Sequence, residues 1–332
     1  MRNAVVLMGL LCAGMAAPLA AQSYISVFDS ISDVKPVDGT TQTEDVRFKD
    51  DGAERMTVSV EVSGKGPYRF LVDTGADRTA LSTEMARNLQ LPRGTAARLH
   101  SVAGVQEVQT ATVSSLRLTS RPFSVTNAPL LSEFHMGADG ILGVDSLKSQ
   151  RVMFDFKSNT MSVVPSAQRL LPDDRDKDTI VVTARQRNGR LVLTNARVDD
   201  HNVAVILDTG SQVTIGNAAL RSRLLRGDRR ALDRLGSVRL RSVTGHEIVG
   251  EYMMVKKLEI GGATLTDLAI VFADAHTFRQ LKLDKGPAML LGMNAMRAFD
   301  RVSIDFANKK LRLMLPEHSS NEGVMFASRL PW

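Results

Sequence analysis

The sequence predicts a mostly-β protein of two similar lobes related by a pseudo-twofold axis. Three observations predict it. Short runs of alternating apolar residues recur along the chain, each closed by turn residues. Five landmarks appear twice, in the same order. One of them, Asp-Thr-Gly, stands at Asp73–Gly75 and again at Asp208–Gly210, a separation of 208 − 73 = 135 residues.

Each landmark accounts for an element. MTVSVEV (Met56–Val62) alternates as a half-buried strand, turns at GKGP and re-enters as YRFLV. In the second half LVLTNARV (Leu191–Val198) turns at DDHN and re-enters as VAVIL. Both returning strands run into Asp-Thr-Gly. A short helix follows in LSTEMARNL, with Ser82 or Thr83 as its N-cap. RLHSVAG (Arg98–Gly104) then matches RLRSVTG (Arg239–Gly245) at five of seven positions, as hairpin turns. GILGVDSL (Gly140–Leu147) matches MLLGMNAM (Met289–Met296), each opening a short helix. RVMFDFKSNTMSVVP and RVSIDFANKKLRLMLP close the two copies with late strands, in which Asp155 and Asp305 are expected to be structural. The second copy is longer by Leu220–Arg241 and by residues around Thr277–Gly286. Leucines at roughly helical spacing, with Arg between them, predict an amphipathic surface helix over Leu220–Arg241.

The chain divides on this reading into a signal peptide (1–21), a polar leader or arm (22–51), a first lobe (52–165), a linker (166–178), a second lobe (179–316) and a tail (317–332). Arg2, the apolar run AVVLMGLLCAGMAA and the small-residue exit PLAAQ make the signal. They predict a periplasmic or secreted protein. Leu11 is too large for the residue that precedes a lipidated cysteine, so Cys12 predicts no anchor. Cys12 is the only cysteine, so the exported chain is held by its core and not by disulfides. At 332 residues it is long enough for two lobes with a sizeable core.

The formal charge is +6, or +5 without Arg2, and it is concentrated in Leu220–Arg241. No Gly-rich phosphate loop and no aromatic–basic nucleic-acid motif accompanies it, so no nucleic-acid partner is expected. No later apolar run approaches a membrane-spanning helix. Asp199, Asp200 and His201 sit in a polar turn without a further ligand at suitable spacing. His246-Glu247 lacks the second histidine of a zinc helix. Neither a metal nor a cofactor is expected. There is no Gly-x-Ser-x-Gly elbow either.

A duplicated half-domain places its two equivalent loops face to face near the pseudo-twofold axis. Asp73 and Asp208 are therefore partners in one site. Two carboxylates about 3 Å apart cannot both ionise cheaply, so they share a proton. The ionised member can take a proton from water while the protonated member donates to a carbonyl oxygen. Phe70, Leu71 and Val72 before one Asp, and Val205, Ile206 and Leu207 before the other, supply a low-dielectric floor.

These residues resemble the retropepsin-like aspartic peptidases, and more closely an exported bacterial type with both lobes in one chain. The resemblance spans Arg47–Pro316. It implies a bilobal aspartic peptidase fold and an endopeptidase acting on polypeptides, with an envelope or secreted protein as substrate, for which a monomer suffices. Asp73 and Asp208 would be the catalytic pair. Thr74 and Thr209 would hydrogen-bond across the lobes, and Gly75 and Gly210 would let the backbones approach. Ser101, Val102, Ala103 and Gly104, with Ser242, Val243, Thr244 and Gly245, would be flaps. Gly143 and Gly292 would lie beneath the Asp loops. There are departures. Asp77 has Gln212 as its counterpart, and no flap tyrosine of the pepsin kind is present. Viral members carry an Arg after the apolar-apolar-Gly motif. Here Val144 and Met293 stand there, so that Arg–Asp support is expected to be absent. The alternative is a catalytically silent peptide-binding module on the same fold, with carboxylates apart or the cleft plugged.

Overall fold

Period-2 patterning becomes strands in both halves. The structure, a computed structural model, describes residues 45–47, 57–101, 104–118, 122–168, 179–226, 232–316 and 324–326. The first half begins with β1 (Asp45–Arg47), β2 (Thr57–Val62), β3 (Lys65–Val72), β4 (Ala80–Ser82), β5 (Ala97–Ser101) and β6 (Gly104–Val108). It continues with β7 (Thr110–Arg117), β8 (Phe123–Leu131), β9 (Gly140–Leu142), β10 (Gln150–Asp155) and β11 (Thr160–Pro165). Short helices α1 (Thr83–Asn88), α2 (Glu133–Met136) and α3 (Val144–Leu147) lie among them.

The second half follows the same plan. Its strands begin with β12 (Thr179–Thr183), β13 (Arg185–Arg187), β14 (Arg190–Val198), β15 (His201–Leu207), β16 (Thr214–Gly216) and β17 (Gly236–Arg241). Then come β18 (Glu247–Ile260), β19 (Ala263–Phe272), β20 (Ala288–Leu291), β21 (Arg301–Asp305), β22 (Lys310–Met314) and β23 (Val324–Phe326). Its helices are α4 (Ala218–Leu225), α5 (His276–Gln280) and α6 (Met293–Met296).

In the first lobe β2-β3-β9-β4-β8-β7 closes into a barrel. In the second, β13-β14-β15-β20-β16-β19-β18-β17 forms one sheet that curls until β14 also pairs β18. A six-stranded sheet, β1-β11-β10-β21-β22-β12, joins the lobes. At its centre Arg151 pairs Asp305 and Asp155 pairs Arg301, so the same residues meet from both sides, as a twofold interface requires. Arg301 Nε donates to Asp155 Oδ2 at 2.6 Å. Burial alone would push Asp155 up, but the Ser158 N–H and Arg301 outweigh it and hold the carboxyl below its ordinary range. The structural role expected of Asp155 and Asp305 is the one they have. One apolar cluster runs from Phe70 in the first lobe through Phe154 and Val302 to Val205 and Leu291 in the second.

Local chemistry sets the turns and caps. The β2–β3 turn is Ser63–Gly64, tighter than the GKGP turn the sequence points to, and the β14–β15 turn is Asp199–Asp200. All four residues have positive φ, which matches the right-handed twist of a two-residue hairpin. Ser82 caps α1, accepting from Met85 N–H at 3.0 Å. At the matching position Asn217 caps α4, accepting from Leu220 N–H and from Ala288 N–H. Its amide donates to the Leu283 and Gly286 carbonyls, tying down the insertion around Thr277–Gly286.

The structure corrects one element outright. Leu220–Arg241 is not a single helix. Helix α4 ends at Leu225, Leu232–Arg234 is a 3₁₀ turn, and Gly236–Arg241 is strand β17. Val238 and Leu240 are buried on alternate positions, and β17 pairs β18 from Gly236↔Tyr252 to Arg241↔Glu247. Distant pairing outweighs a leucine spacing that looks helical. From the leader, Asp45–Arg47 adds to the edge of the shared sheet as β1. The signal and most of the leader, linker and tail lie outside the described residues.

Asn217→Ala removes a helix cap and leaves the Leu283 and Gly286 carbonyls without their side-chain donor. It should lower stability by about 2–4 kcal/mol, read as a drop in urea midpoint at unchanged slope.

Candidate active site

The two Asp loops are built by one device used twice. Strand β3 runs parallel to β9, with Val72 opposite Leu142, and Asp73 N–H donates to the Leu142 carbonyl at 3.0 Å. Strand β15 runs parallel to β20, with Leu207 opposite Leu291, and Asp208 N–H donates to the Leu291 carbonyl at 3.1 Å. The apolar residues before each Asp are buried, as the floor requires. Beneath the loops the turns at Gly143 and Gly292 hold the chain: Val144 N–H donates to Ala76 and Met293 N–H to Ser211. Thr79 is braced by Asp145 (2.8 Å), and its counterpart Thr214 by Asn294 (2.8 Å).

The carboxyl groups of Asp73 and Asp208 come together at the lobe junction, where each acts on the ionisation of the other. Each lies against the glycine of the opposite loop. A Cβ on Gly75 would stand 2.6 Å from Asp208 Oδ1, and one on Gly210 would collide with the Asp73 carboxyl group. Only glycine allows this approach. Thr74 and Thr209 cross-link the loops. Thr74 Oγ1 donates to the Leu207 carbonyl (3.0 Å) and Thr209 Oγ1 to the Val72 carbonyl (2.7 Å). Each hydroxyl also accepts the backbone N–H of the other threonine, at 3.0 and 3.1 Å. Burial pushes the Asp73 carboxyl up. Burial, and then the charge of Asp73, push Asp208 up to about 7. One proton shared by the pair is the outcome.

Asp77 is where the lobes stop matching. Arg190, at the head of β14 in the second lobe, reaches across to it: Nη1 lies 3.2 Å from Asp77 Oδ1, and Nε donates to the Gly75 carbonyl. Gln280 of α5 stands beside Asp77 at the cleft and favours its ionised form. The Arg–Asp support expected to be missing is thus present, supplied by the opposite lobe and not by the turn after Gly143. Sequence reasoning missed Arg190 and Gln280. The signal that could have found them was Asp77 itself, a carboxylate near an apolar loop in need of a cation.

A cleft of about 500 Å³ opens over the dyad. The β5–β6 hairpin covers it from the first lobe and the turn at Ser242–Gly245 from the second; Ser101, Ser242 and Val243 line it. Of the flap candidates, Ser101, Gly104 and Ser242–Gly245 flank these tips, whereas Val102 and Ala103 lie outside the described residues. Each tip region is met by a histidine of the other lobe. His100 Nδ1 and His276 Nε2 are 2.6 Å apart with the rings stacked, and the His135 ring packs directly on Gly245, whose φ is 82°. Burial, and then His100 and Arg279, hold His276 below its usual pKa, with Asp274 opposing. Asp199 accepts the Lys257 N–H within the hairpin corner, and among the described residues no three metal-ligating side chains gather.

Thr209→Val leaves the Thr74 N–H and the Val72 carbonyl buried without partners. It should destabilise the protein by about 2–5 kcal/mol in urea unfolding, and Thr209→Ser should recover most of that. The histidine contact needs one neutral ring as acceptor. Because His276 is held low, its contribution is full above pH ~6.5 and is lost as pH falls through its lowered value. Hydrogen exchange in the β5–β6 hairpin, corrected for intrinsic rate, should therefore accelerate as pH falls below the ordinary histidine range. In His276→Phe this acceleration should vanish.

Two family models match the chain in tandem. The "gag-polyprotein putative aspartyl protease" model covers residues 58–149, and the "Aspartyl protease" model covers residues 194–295. No curated protein matches the chain. The matched segments each contain one Asp-Thr-Gly loop and the parallel strand beside it. With two aspartyl protease domains in tandem and two barrel-like lobes meeting at their Asp loops, the chain belongs to the retropepsin-like, two-lobe aspartic peptidases.

Proposed function

We propose that the protein is an aspartic endopeptidase that hydrolyses polypeptides with water activated between Asp73 and Asp208. The observation that carries this reading is the meeting of the two carboxyl groups beneath an open cleft. A silent binding module predicts carboxylates apart or a plugged cleft; among the described residues the carboxyl groups lie together and the cleft above them is open.

The mechanism follows from the shared proton. The ionised carboxylate takes a proton from water held between the two groups, and the oxygen attacks the scissile carbonyl. The protonated carboxyl donates to the developing oxyanion, so charge does not build up in the low-dielectric floor. Collapse of the tetrahedral intermediate breaks the C–N bond, and the amine leaves with a proton returned through the pair. The peptide lies extended between flaps and dyad, held by main-chain hydrogen bonds. The N-terminal signal pattern supports export, so the substrate is an envelope or secreted protein met in the periplasm or outside the cell.

Asp73→Asn and Asp208→Asn should each lower peptide cleavage by roughly 10³-fold or more while the fold is kept, since acid–base assistance alone is worth roughly 10²–10⁴. Undiminished cleavage by either variant would refute the assignment. Activity also needs one member of the pair protonated. With Asp208 raised to about 7, the alkaline limb of the pH–rate profile should fall as pH rises through that value.

A further inference from the structure

The two Asp-Thr-Gly loops are alike in sequence, but their surroundings are not. Asp73 Oδ1 accepts two backbone N–H groups, from Gly75 (2.8 Å) and Ala76 (2.9 Å). Asp208 Oδ1 accepts one, from Gly210 (3.1 Å). Arg190 is 5% exposed and is fixed on the Asp73 side by the Gly75 carbonyl and Asp77. Gly75 in turn touches the Asp208 carboxyl group. On the other side, at the position matching Asp77, stands neutral Gln212, so no second ion pair repeats the arrangement there.

We propose that Arg190 is the positioning counter-ion of the singly ionised dyad, and that with the extra N–H donor it fixes the negative charge on Asp73 and leaves the proton on Asp208. This rests on the peptidase reading. It assigns roles that symmetry alone leaves open: Asp73 is the base toward water and Asp208 the acid toward the carbonyl oxygen. A buried pair with one shared proton carries one net negative charge, which is costly without a cation nearby. Arg190 is that cation, and it opposes the upward push of burial on both carboxyl groups. Asp77 also draws on Arg190. Burial raises the Asp77 carboxyl, Arg190 and His100 act against that, and Asp145 adds to it, which weakens its hold on the guanidinium. Arg190 acts through the dyad and not on the substrate.

The test is the pH dependence of kcat/KM on a chromogenic peptide, together with carboxyl ¹³C NMR titration of the dyad, in wild type, Arg190→Gln, Arg190→Lys and Asp77→Asn. Losing the cation should move the acid limb toward neutral pH in Arg190→Gln, so that activity at its foot falls roughly tenfold further than activity on the plateau. Arg190→Lys should keep the limb in place. Asp77→Asn removes the competing carboxylate and should move the limb the opposite way, which keeps the test decisive if Arg190→Gln does not fold. An arginine that merely tied the lobes together would make Arg190→Gln and Asp77→Asn alike, with less folded protein and an unmoved limb; that result overturns the proposal. The NMR titration separates the two readings. Shifted carboxyl titration without any turnover would defeat the peptidase reading and leave the counter-ion. Turnover with unshifted titration would defeat the counter-ion alone.

Discussion

Two carboxyl groups that share one proton at a lobe junction set the conditions for everything around them. They must lie close enough to hydrogen-bond, which demands glycine as the third residue of each Asp-Thr-Gly loop, because any Cβ there would strike the opposite carboxyl. They must be dry enough that sharing is favoured over double ionisation, which demands the buried runs Phe70–Val72 and Val205–Leu207. They must also not slide, and the crossed threonine hydrogen bonds supply that restraint. Remove any of these and the other two lose their purpose.

The protein meets these demands by folding one plan twice and sewing the copies together at a sheet. The pairing of β10 with β21 matches Arg151 to Asp305 and Asp155 to Arg301, so the symmetry is written in backbone register and in charge. Parallel pairing of each Asp strand with its neighbour then aims both loops at the same point. The backbone keeps the twofold relation more faithfully than the side chains do. Asp145 braces one loop where Asn294 braces the other, and Asp77 has Gln212 as its counterpart. In a single chain these positions are free to diverge, and the divergence concentrates charge on the first-lobe side of the cleft. There Asp77, Arg190 and His100 all interact.

The cleft is bordered on both sides by contacts between lobes. His276 of α5 meets the β5–β6 hairpin and His135 of α2 meets the turn at Gly245. These helices occupy matching places after β8 and β19. Each lobe therefore holds the cover of the other, and a change at one cover bears on the lobe junction where the dyad lies.

The sequence by itself determined the lobes, the repeat, the dyad and its floor. All of these are encoded locally, as period-2 runs and as short motifs repeated at fixed order, so they can be read without knowing what lies opposite. It also narrowed the α1 cap to Ser82 or Thr83, of which the fold uses Ser82, and located the helices after Gly143 and Gly292. Only the tertiary structure decided what Leu220–Arg241 becomes, because β17 exists through its pairing with β18, and a leucine spacing cannot report a partner strand. Only the tertiary structure joined Arg190 to a loop 115 residues earlier, and His100 to a ring 176 residues later. A buried charge takes its partner from whatever side chain the fold brings within reach, and sequence proximity puts no limit on that choice. The pairing of the two carboxyl groups was thus legible in two tripeptides, whereas the electrostatic difference between the two halves of the site belongs to the fold.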